Sequence, residues 1–363
     1  MTGMDGKRQI RVRTWAAAAV VAAVGLTAAC STSSSKSASG SVMVPRAGQG
    51  IGAGGVPSSA PFKPTPCGPE ATAAAVNPLP GPNDPVASGG TLDKIRKRGF
   101  LIAGIDLNTE LFGYDPQHDN NPQGFDVDIA RAMARAIFGS DGHIQFRVVT
   151  LGDPKTGEYA QLHAGNVDLV VQTTTITCAR MQSPTPMNFS NPYYTAELKL
   201  LMPLGDDGKA QSASLAGLKG AKTADGSPVK VCATLKSTSA AEIEQVLGKA
   251  GTFTAANALD CLADLQQGLV GAVYTDDALL RGMESQDPHV KMTTAAAEEE
   301  QPYGIVTNHP ASGANDLTPF VNTALANLIQ DTGPNGWRSL FANDLGSHPT
   351  SLPQIPQHYP LGS

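Results

Sequence analysis

The residues best suited to chemistry lie in the run 172–194, which reads QTTTITCARMQSPTPMNFSNPYY. The run begins where an apolar strand pattern, residues 167–171, ends; three threonines and Arg180 follow, and two tyrosines close it. Hydroxyl groups and an arginine at the carboxyl end of a strand suit the binding of an anion. By residue type alone, a surface loop with an incidental arginine fits the run equally well.

The elements that must position this run alternate between strand and helix patterns. Apolar residues at 125, 129, 133 and 137 recur every fourth position and predict an amphipathic helix, with apolar strands at 100–105 and 144–149 on either side. A second set of strands and helices begins after residue 194. Such alternation favours an α/β fold with a largely parallel sheet.

A resemblance to a known family narrows this interpretation. Residues 175–180 and 189–194 read TITCAR and FSNPYY, and GFDVD, GNVDL, TDD and YGIV stand at 124, 165, 275 and 303. In that order, these motifs resemble the family 3 extracellular solute-binding proteins, the polar amino-acid-binding proteins of ABC importers, over residues 92–345. The resemblance implies a type II periplasmic-binding-protein fold, with two α/β lobes joined by a two-strand hinge and a ligand cleft between them.

The predicted domain organisation follows the chain in order. A basic segment leads into an apolar stretch too short to span a bilayer, which is typical of a signal peptide. Next comes a Ser-, Gly- and Pro-rich segment that cannot form its own core. The predicted parts are signal peptide 1–29, lipid-anchored linker 30–90, first lobe 91–195, second lobe 196–301, return to the first lobe 302–348, and irregular tail 349–363.

The resemblance also implies a ligand-binding set, because a buried amino acid must have both of its charges paired. Arg180 is expected to bind the α-carboxylate and Asp276 the α-ammonium, with the Thr175 hydroxyl and the Thr173 backbone adding contacts. Asp276 also fits a helix N-cap, although Asp277 fits that role better.

Two further groups complete the expected site. Ser237 and Thr238 precede a predicted helix start, a place suited to an anion. Phe112 or Tyr114 is expected to cover the aliphatic part of the ligand, and simple core aromatics are the alternative. Lys236 stands where many relatives carry glycine; facing inward it would favour acidic ligands, and otherwise it is a solvated lysine at a loop tip.

Cysteine usage indicates an oxidising compartment. Cys30 follows small residues and precedes a serine-rich tract, which resembles a lipobox, so we expect lipidation at Cys30; an ordinary secretory signal is the alternative. The other four cysteines allow three pairings. Cys232–Cys261 is favoured because both lie in the second lobe, as in related lipoproteins, which leaves Cys67 with Cys178.

The predicted function is the binding of a polar amino acid of the Glu, Asp, Gln and Asn class by a lipoprotein on the outer face of the cell membrane. Its partners would be the free amino acid and an ABC permease, and the protein is expected to be a monomer that needs neither cofactor nor metal. Four of the 26 basic and one of the 32 acidic residues lie in the first 29, which leaves 22 against 31, a balance of −9 that disfavours nucleic acid.

Two alternatives remain open at this level. A sensor subunit that presents its ligand state to a membrane receptor would use the same binding residues. An enzyme similar to cyclohexadienyl dehydratases would need a carboxylate acting as acid or base over the ligand, for which Glu110 is the candidate; we expect no enzyme.

Overall fold

The computed structural model of the chain describes residues 79–153, 155–181, 187–308, 316–346 and 353. The predicted signal peptide, Cys30, Cys67, the linker before residue 79 and all of the tail except Pro353 lie outside these residues. Within them, no helix is long and apolar enough to cross a membrane.

The strands of the described residues form one continuous path with the order β2-β1-β3-β9-β4-β7-β5-β6, and β8 pairs with β4 off this path. Their bounds are β1 Leu101–Ile105, β2 Ile144–Val148, β3 Leu169–Val170, β4 Met187–Pro203, β5 Val231–Thr234, β6 Thr252–Ala255, β7 Ala272–Asp276, β8 Val290–Met292 and β9 Glu300–Asn308.

Helices separate most of these strands along the chain. They are α1 Thr91–Arg98, α2 Phe125–Phe138, α3 Glu158–His163, α4 Cys178–Met181, α5 Thr238–Leu247, α6 Ala258–Gln266, α7 Asp277–Gln286, α8 Leu317–Gln330 and α9 Trp337–Leu345, with short 3-10 turns at Ala216–Leu218 and Lys249–Gly251.

Each lobe has a parallel group of strands beside an antiparallel neighbour. In the first lobe, β1 pairs in parallel with β2 and β3, and β3 meets β9 antiparallel. In the second lobe, β5 pairs in parallel with β6 and β7, and β7 meets β4 antiparallel. The predicted α/β fold with two lobes is therefore confirmed.

The two lobes are joined through β4 and β9. The first part of β4 pairs with β9 from Met187↔Asn308 to Glu197↔Glu300, and residues 198–201 then pair with β7. Thr195 lies opposite Pro302, where the predicted lobe boundaries fall, and those boundaries remain a prediction. Residues 187–194, read from the sequence as part of a loop, belong to β4.

The first lobe buries an aromatic core. Phe125 contacts the rings of Phe112, Tyr194, Trp337 and Phe341 edge-on, within about 6 Å between centroids. The indole N–H of Trp337 donates to the Tyr193 carbonyl at 2.7 Å, which ties α9 to β4. Tyr193 and Tyr194 are the last residues of the run 172–194, so the aromatic core fixes the position of one end of the candidate site.

The second lobe carries a disulfide inside its core. Cys232 on β5 and Cys261 on α6 are both fully buried and bonded to each other, with Cα atoms 5.6 Å apart. This confirms the favoured pairing. Cys178 is also disulfide-bonded; its predicted partner, Cys67, lies outside the described residues.

Candidate functional site

Arg180 is held on a single turn of helix beside the hinge. Its Nη1 donates to the Thr175 carbonyl at 2.6 Å, and its backbone N–H donates to the Thr177 hydroxyl at 3.3 Å. Thr175 in turn forms a β-bridge with Tyr303 on β9. Within the described part of the chain no carboxylate forms an ion pair with Arg180. The planar fork thus keeps donors for an external anion.

Burial and the neighbouring acidic groups change the pKa of Arg180 in opposite directions. Burial lowers the pKa of the guanidinium, and the acidic groups of Glu158, Tyr159 and Asp276 act in the opposite direction. Glu158 is itself buried at 1% exposure, and its carboxylate accepts from the backbone N–H of Gly152 at 2.9 Å. A partly buried cation near an anion with which it forms no ion pair is suited to a ligand carboxylate.

Asp276 ends β7 and points a buried carboxylate into the same region. Its side chain is 6% exposed, Oδ2 accepts from the Tyr303 hydroxyl at 2.5 Å, and Oδ1 has no hydrogen-bond partner among the described residues. Burial raises the pKa of Asp276 to about 7, against the lowering effect of the Tyr303 hydroxyl. An unpaired buried carboxylate oxygen is costly unless a donor reaches it, so this atom is suited to a ligand ammonium.

The capping roles expected near Asp276 are not the observed ones. Asp276 occupies the N-cap position of α7 but makes no side-chain capping bond. Asp277, the expected cap, lies within the helix instead. Its carboxylate accepts from the Glu197 backbone N–H at 2.9 Å and from Arg281 at 3.1 Å, so Asp277 fastens α7 to the crossing strand β4.

Thr173 lies at the sharp turn after β3. Its φ is +50°, an uncommon conformation for a threonine. The backbone N–H of Thr173 donates to the Tyr193 hydroxyl at 3.2 Å, and that hydroxyl donates to Asp126 Oδ1 at 2.6 Å. These two hydrogen bonds hold the turn in place and fix the position of the Thr173 carbonyl. The sequence reasoning missed both supporting residues, although GFDVD and PYY had marked them as part of the family pattern.

Ser237 and Thr238 have structural partners at the start of α5. Ser237 is the N-cap, and its hydroxyl accepts from the Ala240 N–H at 3.1 Å; Thr238 is therefore the first residue of α5. The Thr238 hydroxyl donates to Gln301 Oε1 at 3.1 Å, next to the hinge. The backbone N–H groups of this first turn remain suited to an anion.

Lys236 does not turn inward. The residue is exposed, and its Nζ donates to the Gly152 carbonyl at 2.5 Å, on a loop of the other lobe. From the sequence, Lys236 was expected either to contact the ligand or to be solvated at a loop tip. A bond to the other lobe is a third arrangement.

The two candidate covering aromatics lie elsewhere. Phe112 has no exposed surface and packs edge-on against Phe125, Tyr194 and Tyr303, so it is a core residue. Tyr114 is half-buried and joined by two backbone hydrogen bonds to Gln123. Phe112 is thus placed as a core aromatic, the alternative given from the sequence, and ligand covering by Tyr114 remains a prediction.

A small cavity opens between the lobes beside Thr173, and neither Arg180 nor Asp276 is on its wall. Asp106 lies on its wall, and that carboxylate accepts from the Asn108 backbone and amide N–H groups and from the Thr109 hydroxyl at 2.9–3.0 Å. Otherwise the wall is mostly neutral and polar: Asn108, Thr109, Thr150 and Thr173 from the first lobe, Thr234 and Asn257 from the second, with Leu151, Ala256, Ala258 and Leu279. The described residues contain no cluster of three acidic, histidine or cysteine side chains that could hold a metal.

Known proteins share this pattern over most of the described chain. The model of the bacterial extracellular solute-binding proteins, family 3, matches residues 101–333. A glutamine-binding protein of Geobacillus stearothermophilus is 34% identical over 60% of this chain and 76% of its own length. The ABC transporter glutamine-binding protein GlnH of Bacillus subtilis is 30% identical over 66% and 80%.

A solved structure agrees with the fold. An ancestral amino acid-binding protein, described as a precursor of cyclohexadienyl dehydratase, matches with a TM-score of 0.58 and 25% identity over 70% of this chain and 99% of its own. Together with the two lobes, the crossing strands and the site between them, these matches show that the chain belongs to the bacterial extracellular solute-binding proteins of family 3.

Proposed function

We propose that the chain binds a free α-amino acid between its lobes and delivers it to an ABC importer. The observation that carries this proposal is the buried Oδ1 of Asp276, which has no hydrogen-bond partner in the part of the chain that the structure describes. An α-ammonium there would satisfy that oxygen, while the carboxylate of the same ligand would reach the donors of Arg180. Both charges of a zwitterion would then be paired out of water, the condition under which burying them is tolerable.

The remaining predicted contacts would complete this clamp. The Thr173 carbonyl would accept from the ammonium, and the Thr175 hydroxyl would donate to the carboxylate. The first turn of α5, from Ser237 and Thr238, would add backbone donors on the second lobe. All of these side chains have defined positions through their own hydrogen bonds or burial, which reduces the ordering cost on binding.

Within the Glu, Asp, Gln and Asn class, an amide side chain fits best. Asp106 is the ionisable residue on the cavity wall among the described residues, and it would repel a carboxylate placed beside it. Its oxygens already accept three hydrogen bonds, and a remaining lone pair would accept a fourth from a side-chain amide N–H of the ligand. Lys236 points to Gly152 and gives no reason to prefer acidic ligands. Both curated relatives described above are named for glutamine.

The proposal also holds that the protein is not an enzyme. The relatives are named as binding proteins. The loop that carries Glu110 packs against α7, where a Cβ at Gly282 would lie 2.6 Å from the Glu110 carbonyl. Turnover of a prephenate-like acid by the purified protein would contradict this part of the proposal.

Location and anchoring complete the proposed role. The family is extracytoplasmic, and a lipid on Cys30 would keep the binding lobes near a permease. A diacylglyceryl group supplies the two chains that stable anchoring needs. A fatty-acid probe should label the wild-type protein and fail to label Cys30→Ala; labelling of both would contradict the site.

Calorimetry against the twenty amino acids tests the ligand class. We expect glutamine to bind most tightly, asparagine next, glutamate and aspartate more weakly, and lysine, arginine and histidine weakest. Tight binding of arginine without glutamine would contradict the assignment. Asp106→Asn should narrow the difference between glutamine and glutamate, because it removes the repelling charge and keeps a side chain of the same shape.

A further inference from the structure

Two loops on opposite lobes meet at the edge of the cleft. One contains Gly152 and lies between β2 and α3; the other contains Lys236 and lies between β5 and α5. Their contact is the bond from Lys236 Nζ to the Gly152 carbonyl, 2.5 Å long. The lysine stem lies directly on Gly152, since a Cβ at that glycine would fall 2.7 Å from Lys236 Cδ. The contact therefore combines a charge-assisted hydrogen bond with close packing.

The backbone at both positions is specialised for this contact. Lys236 has φ +65° and Gly152 has φ +62°, a left-handed region that glycine adopts readily and lysine rarely. The lysine is held there by the turn that closes from the Ser237 N–H to the Thr234 carbonyl at 3.1 Å, and by the Ser237 cap. Residues held in such uncommon backbone conformations concentrate at functional sites.

The loop that Lys236 touches is connected to the clamp. The Gly152 N–H donates to Glu158 at 2.9 Å, and Glu158 is the buried acid whose charge acts most strongly on Arg180. Asp153, next along the loop, carries a further negative charge near Lys236. A lysine from the second lobe is thus bonded to the loop that positions the counter-charge of the first-lobe arginine.

We infer that Lys236 is an interlobe latch, which stabilises the closed arrangement of the lobes and so raises affinity for every ligand that the clamp accepts. This inference rests on the proposed function for its effect on affinity. Because the latch contacts only protein atoms, its contribution is the same whatever the ligand side chain. It acts by raising the population of the binding-competent form.

Calorimetry with two ligands separates a latch from a specificity residue. Lys236→Met keeps the stem and removes the ammonium; Lys249→Met, a lysine of the same lobe whose side chain is 91% exposed, is the matched control. We expect Lys236→Met to weaken glutamine and glutamate by the same factor, roughly 3- to 10-fold, with no change for Lys249→Met. The factor is that of an ordinary hydrogen bond, because solvent screens the exposed ammonium. Unequal factors, or none, would overturn the latch.

A second measurement needs no ligand and keeps the latch separable from the proposed function. Small-angle scattering of the ligand-free proteins should give a larger radius of gyration for Lys236→Met than for the wild type and Lys249→Met, because the lobes separate more often. Equal radii for all three proteins overturn the latch. If the wild type binds no amino acid, the proposed function fails, and the scattering comparison still decides the latch.

Discussion

The Tyr303 hydroxyl on the hinge strand β9 donates to Oδ2 of Asp276 at 2.5 Å, and Oδ1 of that carboxylate is buried with no partner within the described ranges. Tyr303 is itself fully buried and stacks on Tyr194, with ring centroids 5.4 Å apart. Tyr303 therefore orients the Asp276 carboxylate, the proposed ammonium-binding group, from a strand that crosses between the lobes. The proposed ammonium site is thereby connected to the hinge strand β9 through this one hydrogen bond.

Removing that bond should weaken binding without harming the fold. Tyr303→Phe takes away the donor that favours the charged form of Asp276, so we expect a roughly 10- to 100-fold loss of glutamine affinity, the range for a hydrogen bond to a charged group. Tyr194→Phe, in the same aromatic stack, is the control and should bind nearly as the wild type does. Equal affinities for all three proteins in calorimetry would show that Tyr303 does not position Asp276.

Glutamine affinity should depend on pH through Asp276. The pKa of this buried carboxyl is raised to about 7, and the ammonium requires its ionised form. Affinity is therefore expected to be constant above about pH 8 and to fall by up to about tenfold per pH unit below 7. Calorimetry between pH 5.5 and 8.5 measures this slope. A flat profile in the wild type, or an unchanged slope in Asp276→Asn, argues against the ionised aspartate as the ammonium partner.

The free energy of unfolding of the ligand-free protein should fall as pH rises, whereas the affinity for glutamine should rise. Burial raises the pKa of Asp126 to about 7, above that of an unfolded aspartate. The folded state then binds more protons between about pH 4 and 7, so the free energy of unfolding falls as pH rises through this window, by at most about 1.4 kcal/mol per pH unit for one such group. Asp276 adds a slope of the same sign.

Asp126→Asn isolates one of these groups. The amide oxygen can still accept from the Tyr193 hydroxyl, so the contact that supports Thr173 is preserved in shape. Urea unfolding of ligand-free protein at pH 5 and pH 8 should show a smaller difference for Asp126→Asn than for the wild type. A wild-type protein that is more stable at pH 8 than at pH 5 would contradict the assigned direction.

The disulfide should matter for stability more than for binding. Cys232 and Cys261 are 29 residues apart, and in the chain-entropy model closing such a loop is worth roughly 3–4 kcal/mol. We expect the double variant Cys232→Ala, Cys261→Ala to lose about this much in urea unfolding. Its glutamine affinity at 25 °C should stay within about threefold, since neither cysteine lines the cleft. A large loss of affinity in protein that is still folded would place the disulfide in the binding mechanism.

The fold was predictable from the sequence because its signals are local or familial. Helix α2 shows a regular apolar stripe, and β1 is a continuous apolar run typical of a buried parallel strand. Residues 187–194 were misread because Pro192 and several small polar residues resemble a loop. In the structure the register shifts on both sides of Pro192, which accommodates a residue without an N–H.

Long-range partners of polar residues could not be predicted in the same way. The first N–H groups of α1 are capped by the Asp316 carboxylate, more than 220 residues away, and not by Thr91. Likewise, the bond from Lys236 to Gly152 depends on how two lobes approach each other. Arg180 and Asp276 could be identified only because the family pattern names their positions; nothing local distinguishes them from a loop arginine and a helix cap.

Thermal melting with and without glutamine tests the central claim, that Arg180 and Asp276 clamp one zwitterion between the lobes. Arg180→Met and Asp276→Asn should each melt near the wild-type temperature without ligand, and Asp276→Asn at or above it, because a desolvated carboxylate is removed. Each should lose the stabilisation that glutamine gives, since an unpaired buried charge costs about 2–5 kcal/mol, a 30- to 5000-fold loss of affinity. Variants that melt well below the wild type without ligand, yet keep the full glutamine shift, would show that both residues are structural and that the clamp is wrong.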